Sequence, residues 1–294
     1  MNASGEALDR WIGFTGAERW QKTFDAALAD PTSIESKKQR FASQPTAELA
    51  AALGRIHGSL RERKESVASF QQAMKLAEAP RSDYASAVFF QQMMGLAADE
   101  FTVADLKASA DAVMAAPGDP ADKLFVAAAL SDVASDRNDP SLIQPYAAPA
   151  LEASAGLTDA RSKKLRTEIE VADALLVKKD QVLAVQLMKA SMPPGWEQNA
   201  GELNDFAGWC FQHKVDMPEA QTLARKAVDL AEPGAEKAQV LDTLAELCNE
   251  LGNCSDALDL SRRAAKEDPS DEHYTKQVQR FSELNGKKKA ATGA

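Results

Sequence analysis

Residues 238–269, AQVLDTLAELCNELGNCSDALDLSRRAAKEDP, decide the fold of this chain. Two apolar stretches with helical periodicity are separated by Gly252-Asn253, and Pro269 closes the segment. Small residues stand at intervals of 12, 4 and 3 positions: Ala245, Ala257, Ser261 and Ala264. A small side chain in the middle of one helix lets a second helix approach closely. The segment therefore predicts a helix–turn–helix unit.

The same intervals recur along the chain. They separate Gly208, Ala220, Ala224 and Ala227; Gly54, Ser66, Phe70 and Ala73; and Ala172, Ala184, Met188 and Ser191. Met94, Leu106, Ala110 and Val113 keep the spacing with side chains of other sizes. Polar breaks lie inside these units, and Pro or Gly closes most of them. We therefore predict six helix pairs between about residues 45 and 267, followed by a capping helix near 270–285.

Composition agrees with such a stack and excludes several classes of protein. The chain has 294 residues, 55 of them alanine, and only 6% are aromatic, which favours a helical core of small and aliphatic side chains. Its 34 Lys and Arg against 44 Asp and Glu give a net charge of −10, which argues against nucleic-acid binding. No apolar stretch is long enough to span a membrane. Three cysteines are too few for a disulfide framework.

Residues 238–269 resemble a tetratricopeptide repeat. The matching positions are Leu241, Leu244, Ala245, Cys248, Gly252, Ala257, Ala264 and Pro269. Residues 201–233 resemble a second repeat through Ala207, Gly208, Phe211, Ala220, Ala227 and Pro233. The resemblance implies an all-α fold, an α-α superhelix or solenoid of tetratricopeptide type. Divergent repeats would occupy 32–194, two clear repeats and a capping helix 199–285, and a disordered tail 286–294.

A second resemblance concerns the N-terminus. Residues 5–14 are predicted as a short strand, Thr15-Gly16-Ala17 as a turn, and Glu18 to Leu28 as a helix. This order resembles the last strand and helix of a thioredoxin fold, as found in bacterial thioredoxin-family proteins that also carry helical repeats. Residues 1–31 are accordingly interpreted as a thioredoxin-like remnant. The catalytic Cys-x-x-Cys of that family is absent from this sequence.

Residues capable of chemistry form no convincing catalytic or metal-binding pattern. Cys210, His213, Cys248 and Cys254 could be combined into a zinc site, but they lack the close ligand pairs of structural zinc. His57, His213 and His273 are not paired with a nucleophile by any motif, and no phosphate-binding loop or dinucleotide fingerprint occurs. We predict no catalysis, no cofactor and no metal.

The first helices of the last two repeats provide the predicted partner-binding face. Its residues are Glu202, Asp205, Trp209, Gln212 and His213, followed by Gln239, Asp242, Glu246, Asn249 and Glu250. Acidic groups beside a tryptophan suit a protein or peptide of basic or apolar character. In the alternative interpretation, this face only keeps the stack soluble and Trp209 packs internally.

These observations predict a non-catalytic scaffold for protein or peptide binding, the partner-presenting region of a thioredoxin-family protein. The alternative is a thiol–disulfide oxidoreductase whose Cys-x-x-Cys domain lies upstream of residue 1. No signal peptide is visible, so the chain taken alone is predicted to be cytoplasmic. If it belongs to a longer protein, a periplasmic or secreted location stays open.

Overall fold

A computed structural model describes residues 6–10 and 17–292 of the chain. Within those residues the secondary structure is helical, and no strand is present. The chain forms two compact units, the N-terminal unit Met1–Lys178 and the C-terminal unit Lys179–Ala294. The prediction of an all-α fold built from successive helices is confirmed. Among the described residues, no helix is both long and apolar enough to cross a membrane.

The N-terminal unit consists of nine helices in its described part. They are α1 Ala17–Ala29, α2 Ile34–Ser43, α3 Ala47–Ser59, α4 Arg63–Leu76, α5 Ser82–Leu96, α6 Val103–Ala115, α7 Pro120–Arg137, α8 Ala147–Ala153 and α9 Ala160–Ala172. A π-helical turn, Asp173–Val177, extends α9. Neighbours along the chain pack side by side, as α3 does with α4 and α5 with α6, while α7 packs on both α8 and α9. Short connections make such helix pairs antiparallel.

The C-terminal unit repeats this arrangement. Its helices in the described residues are α10 Gln181–Ser191, α11 Ala200–His213, α12 Met217–Leu230, α13 Ala235–Glu250, α14 Cys254–Glu267 and α15 Glu272–Thr292. The pairs α11/α12 and α13/α14 pack tightly, α13 also contacts α11, and α15 packs on α14. Because α12 separates α11 from α13, these two helices run in the same direction and lie side by side.

The turns inside three of these pairs share a left-handed residue directly after the first helix. Arg61, Lys214 and Gly252 follow the first helix of their pairs, and each has a positive φ, of 63°, 55° and 88° respectively. All three residues are exposed. A left-handed residue is a common way to end a helix and reverse the chain.

The 12-4-3 spacing corresponds to a real close approach between α3 and α4. A Cβ atom built on Gly54 would lie 2.8 Å from two ring carbons of Phe70, and the Ser66 hydroxyl donates a hydrogen bond of 2.7 Å to the Gly54 carbonyl. Phe70 is itself buried in the core between α3, α4 and α5. Glycine is therefore required here by the size of its partner.

The structure corrects the spacing proposed for α5 and α6. Leu106, Ala110 and Val113 are fully buried, as contact positions require, but Met94 is 50% exposed. Phe89, five positions earlier on α5, is fully buried instead. The connection from Ala97 to Thr102 is longer than the turns of α3/α4, α11/α12 and α13/α14, so the interval of 12 does not apply.

The predicted N-terminal strand is not confirmed. Residues 6–10 have no regular secondary structure, and residues 11–16 of that prediction lie outside the described part of the chain. The predicted helix is present as α1. A single strand has no partner for its backbone groups; here they bond to α2, where the Ile34 N–H donates to the Ala7 carbonyl at 2.9 Å.

Lys37 completes this attachment of the N-terminal segment. Its ammonium is buried and donates to the carbonyls of Leu8, Asp30 and Thr32 at 2.7–2.9 Å. Nearby, Arg55 forms an ion pair of 3.5 Å with the buried carboxylate of Asp9. Although not a strand, residues 7–9 are thus held firmly against the first helices.

The C-terminal end also differs from the prediction. The capping helix does not stop near 285, because α15 continues to Thr292, into the stretch that was predicted as a disordered tail. Lysine and alanine favour helix, and the one glycine, Gly286, costs only about 1 kcal/mol. The Lys288 ammonium also donates to the Gly252 carbonyl. Residues 293–294 lie outside the described part.

Candidate partner-binding face

The predicted face lies on two neighbouring helices of the C-terminal unit. Glu202, Asp205, Trp209, Gln212 and His213 belong to α11, and Gln239, Asp242, Glu246, Asn249 and Glu250 belong to α13. Within each helix these residues are spaced three or four positions apart, which places them on one side. Since α11 and α13 pack against each other, the fold brings both rows together.

The two carboxylates at the centre of α13 are bound by the chain itself. The Gln277 amide on α15 donates to Asp242 at 3.2 Å and to Glu246 at 2.8 Å. His273 Nε2 lies 3.0 Å from Asp242, and the Arg280 guanidinium pairs with Glu246. These two acidic residues therefore stabilise the docking of α15.

The carboxylates on α11 are in a different situation. Within the described residues, the side chains of Glu202 and Asp205 make no hydrogen bond or ion pair, and Asp205 is exposed. Gln212 and Gln239 are equally unpaired there and exposed. The negative charge of α11 is thus available to a partner.

Trp209 is half-buried and belongs to a row of rings along α11. Its ring lies 6.0 Å from that of Phe206 and 5.2 Å from that of His213, between centroids. The Trp196 ring lies 5.3 Å from that of Phe206, tilted by 46°, and the Lys189 ammonium lies 5.6 Å from the Phe206 centroid. The row leaves part of the Trp209 ring in solvent, beside Asp205.

Glu250 and Asn249, at the edge of the face, make weaker contacts within the chain. Glu250 forms an exposed ion pair with Lys214 in the α11–α12 turn at 3.1 Å. Asn249 Oδ1 lies 3.7 Å from the Cys254 thiol. Exposed pairs of this kind contribute little stability, so they leave the centre of the α11 row as the part of the face best suited to a ligand.

Two of the three cysteines, Cys210 and Cys248, are buried in surroundings that disfavour the thiolate. Burial raises the pKa of Cys210 to about 12, and the carboxylates of Asp216 and Glu219 add to the shift. Burial also raises the pKa of Cys248, against a hydrogen bond of 3.2 Å from the Gln221 amide. Reactive thiols need the opposite shift. Within the described residues, no cluster of three or more His, Cys, Asp or Glu side chains could hold a metal ion.

Three residues of α15 were missed at the sequence level. His273, Gln277 and Arg280 are spaced by four and three positions, so they share one side of the capping helix. That side carries hydrogen-bond donors and faces the carboxylates of α13. A polar stripe on a capping helix was the available signal, but its partner could be identified only from the packing.

Comparison with known proteins gives no assignment. No family model matches the chain, and no curated protein matches it. Among solved structures, a tetratricopeptide repeat protein from Parabacteroides merdae is similar over 90% of this chain and 96% of its own, with a TM-score of 0.48 and 12% sequence identity. A likeness this distant assigns neither a family nor a function.

Proposed function

We propose that this chain is a non-catalytic scaffold that binds a protein or peptide of basic or apolar character on the α11 side of the predicted face. The observation that carries the proposal is the pair of unpaired carboxylates, Glu202 and Asp205, beside the half-buried ring of Trp209. A lysine or arginine can pair with a carboxylate while its stem lies on an indole ring.

The carboxylates of α11 and α13 differ in their partners within the chain, and this difference favours α11 as the proposed binding side. Asp242 and Glu246 already have donors on α15, so a partner would have to displace a docked helix to reach them. Asp205 and Trp209 can be reached with no such rearrangement. The buried thiols with raised pKa values support a binding role over a catalytic one.

The test uses a partner captured by the full chain and then purified. Its dissociation constant is measured for the wild type and for Asp205→Asn and Trp209→Ala, with Asp229→Asn as control, because Asp229 is an exposed carboxylate on α12. We expect each α11 variant to weaken binding about tenfold or more and the control to stay within about twofold. Equal affinity for all four proteins would contradict the proposal.

A narrower version of the proposal rests on the thioredoxin resemblance of residues 5–29. In it, the scaffold presents partners to a thioredoxin-type domain; the chain taken alone favours the cytoplasm, and a periplasmic or secreted location stays open if the chain belongs to a longer protein. The competing version is a thiol–disulfide oxidoreductase with its Cys-x-x-Cys upstream of residue 1. Sequencing the DNA before codon 1 tests both versions: an in-frame Cys-x-x-Cys favours the oxidoreductase, and an in-frame stop codon contradicts both and favours a free-standing scaffold.

A further inference from the structure

The N-terminal unit carries an exposed apolar row on α5 and α7. Phe90 and Met94 lie one turn apart on α5 and are 43% and 50% exposed. The Phe125 ring on α7 lies 6.4 Å from the Phe90 ring, between centroids, and is half-buried. Single exposed apolar residues are ordinary, but adjacent large ones indicate a contact surface. Methionine adapts to varied partners because its side chain is unbranched and polarisable.

A group of carboxylates continues this face. Asp132 follows Phe125 by seven positions, or two turns, on the same side of α7, and α9, which packs on α7, contributes Glu168. Because α6 separates α5 from α7, these two helices run in the same direction. Met94 and Asp132 therefore both lie beyond the Phe90–Phe125 contact, toward the same end of the face.

The carboxylates of Asp132, Asp136 and Glu168 have few cationic partners among the described residues. Within the described residues, Asp132 and Asp136 make no hydrogen bond or ion pair, and Glu168 has Lys164 at 3.9 Å, itself largely exposed. Surrounding protein atoms raise the pKa of Asp132, with a contribution from Asp136, and burial and Asp132 raise the pKa of Glu168; Lys164 opposes both shifts only in part. An added cation would relieve this repulsion.

We propose that the face formed by Phe90, Met94, Phe125, Asp132 and Glu168 binds an amphipathic helix of a partner protein, with apolar side chains on the row and Lys or Arg against the carboxylates. Charge complementarity sets the orientation of that partner helix, because its basic end would lie toward the carboxylate of Asp132. A helix suits a surface made of parallel helices because it satisfies its own backbone and presents one apolar side. The site is separate from the α11 face and does not depend on it.

The probe is a fluorescein-labelled synthetic peptide with Leu at positions i, i+3, i+4 and i+7 and Lys on both flanks. Two comparison peptides carry Glu in place of Lys, or the same residues in an order that breaks the helical period. Fluorescence anisotropy with the full chain should show the Lys peptide binding about tenfold or more tightly than either, and more weakly as salt is raised. Absence of binding, or equal binding of the Glu peptide, would overturn the proposal.

Variants of the chain locate the site. Met94→Gln removes part of the apolar row without adding charge or disturbing the core, and Asp132→Asn with Glu168→Gln removes the charge. Each should weaken the Lys peptide about tenfold, whereas Leu60→Gln, at a residue 43% exposed directly after α3, should not. Equal losses in the Leu60 control would reject the assignment of the face.

Two further readouts separate this proposal from others. Asp205→Asn and Trp209→Ala should leave peptide affinity unchanged, so that the α11 proposal and this one fail independently. Sedimentation velocity of the wild type and Met94→Gln tests the other occupant, a second copy of the chain. A concentration-dependent dimer that the variant abolishes would assign the row to self-association and overturn the proposal.

Discussion

Two helix pairs with the same spacing are packed differently. In α3/α4, Gly54 faces Phe70, and no side chain larger than hydrogen fits between the helices. In α11/α12, Gly208 has the same place and Ala224 takes the position of Phe70, so an added Cβ would meet nothing within 4 Å. A glycine at an interhelical position therefore does not by itself show a close contact. Whether the contact is close depends on the size of the residue 16 positions later, on the second helix of the pair.

The two units also use their carboxylates differently. In the C-terminal unit, Asp242 and Glu246 have donors on α15 at hydrogen-bonding distance. In the N-terminal unit, Asp132 and Glu168 repel each other. The same residue type thus stabilises one unit and destabilises the other, and conservative substitutions should have opposite effects.

The largest effect should come from Gly54→Ala. The new methyl group would overlap the Phe70 ring, which the surrounding core prevents from moving, so we expect a loss of about 1–3 kcal/mol in the free energy of unfolding. Chemical unfolding followed by circular dichroism measures the loss, and hydrogen exchange of peptides from 47–76 locates it. Adding Phe70→Leu should cost less in this background than in the wild type. Strict additivity would show that the ring is not the obstacle.

Ser66→Ala tests the hydrogen bond that accompanies the close approach. The Gly54 carbonyl would lose a donor at 2.7 Å, and we expect a cost of about 1 kcal/mol. The matched position in α12 is already alanine, Ala220, and is fully buried. Ala220→Ser should not stabilise α11/α12, because Ala220 is fully buried and a hydroxyl placed there without a partner costs free energy. A gain in stability would show that the new hydroxyl finds an acceptor on α11, as Ser66 does on α3.

Gly208→Ala should have the opposite sign from Gly54→Ala. With no atom in the way, the substitution replaces a poor helix former with the best one in the middle of α11, and we expect a gain of about 0.5–1 kcal/mol. The change is measured by the same unfolding experiment. A loss of stability at Gly208 would mean that α11 and α12 approach as closely as α3 and α4 do.

The smallest effect concerns charge and depends on pH. Asp132→Asn should stabilise the chain by about 0.5 kcal/mol near pH 7, because a carboxyl whose pKa is raised by folding destabilises the folded state once it is ionised. The gain should vanish below the ordinary carboxyl value of 3.8, where both states are protonated. Thermal unfolding at pH 7 and pH 3.5 measures it. The control Asp242→Asn should instead lose stability at pH 7, since its partners are on α15.

Periodicity and small-residue spacing were sufficient to predict the helices. Alanine at the contact positions and proline or glycine after each pair are local signals that tertiary structure did not override. The spacing failed at Met94, which is half-exposed before a longer connection, and at Gly208, where the size of Ala224 mattered. Both errors have one cause. The number of positions between two residues fixes the side of the helix on which each lies, but it does not fix the distance from that side to the neighbouring helix.

The candidate site was predicted in part. Helical geometry placed the ten predicted residues on two adjacent helices, but it could not show that Gln277 already holds Asp242 and Glu246. The contact of Gln277, which belongs to a third helix, is known only once the packing of α15 is known. The Phe90–Met94 row was missed for a related reason, because apolar residues in an apolar helix give no signal about which of them stay exposed.

The left-handed residue in three of the turns has a consequence for how this molecule can change. Arginine, lysine and glycine serve the same backbone function at residues 61, 214 and 252, and because all three are exposed, the turn demands a tolerated left-handed conformation but no particular packing of the side chain. The three turns share a positive φ but not a residue type, so turns of this kind need no common sequence. Such positions can acquire charge without disturbing the stack, and Lys214 shows the result, since its ammonium reaches Glu250 on a neighbouring helix.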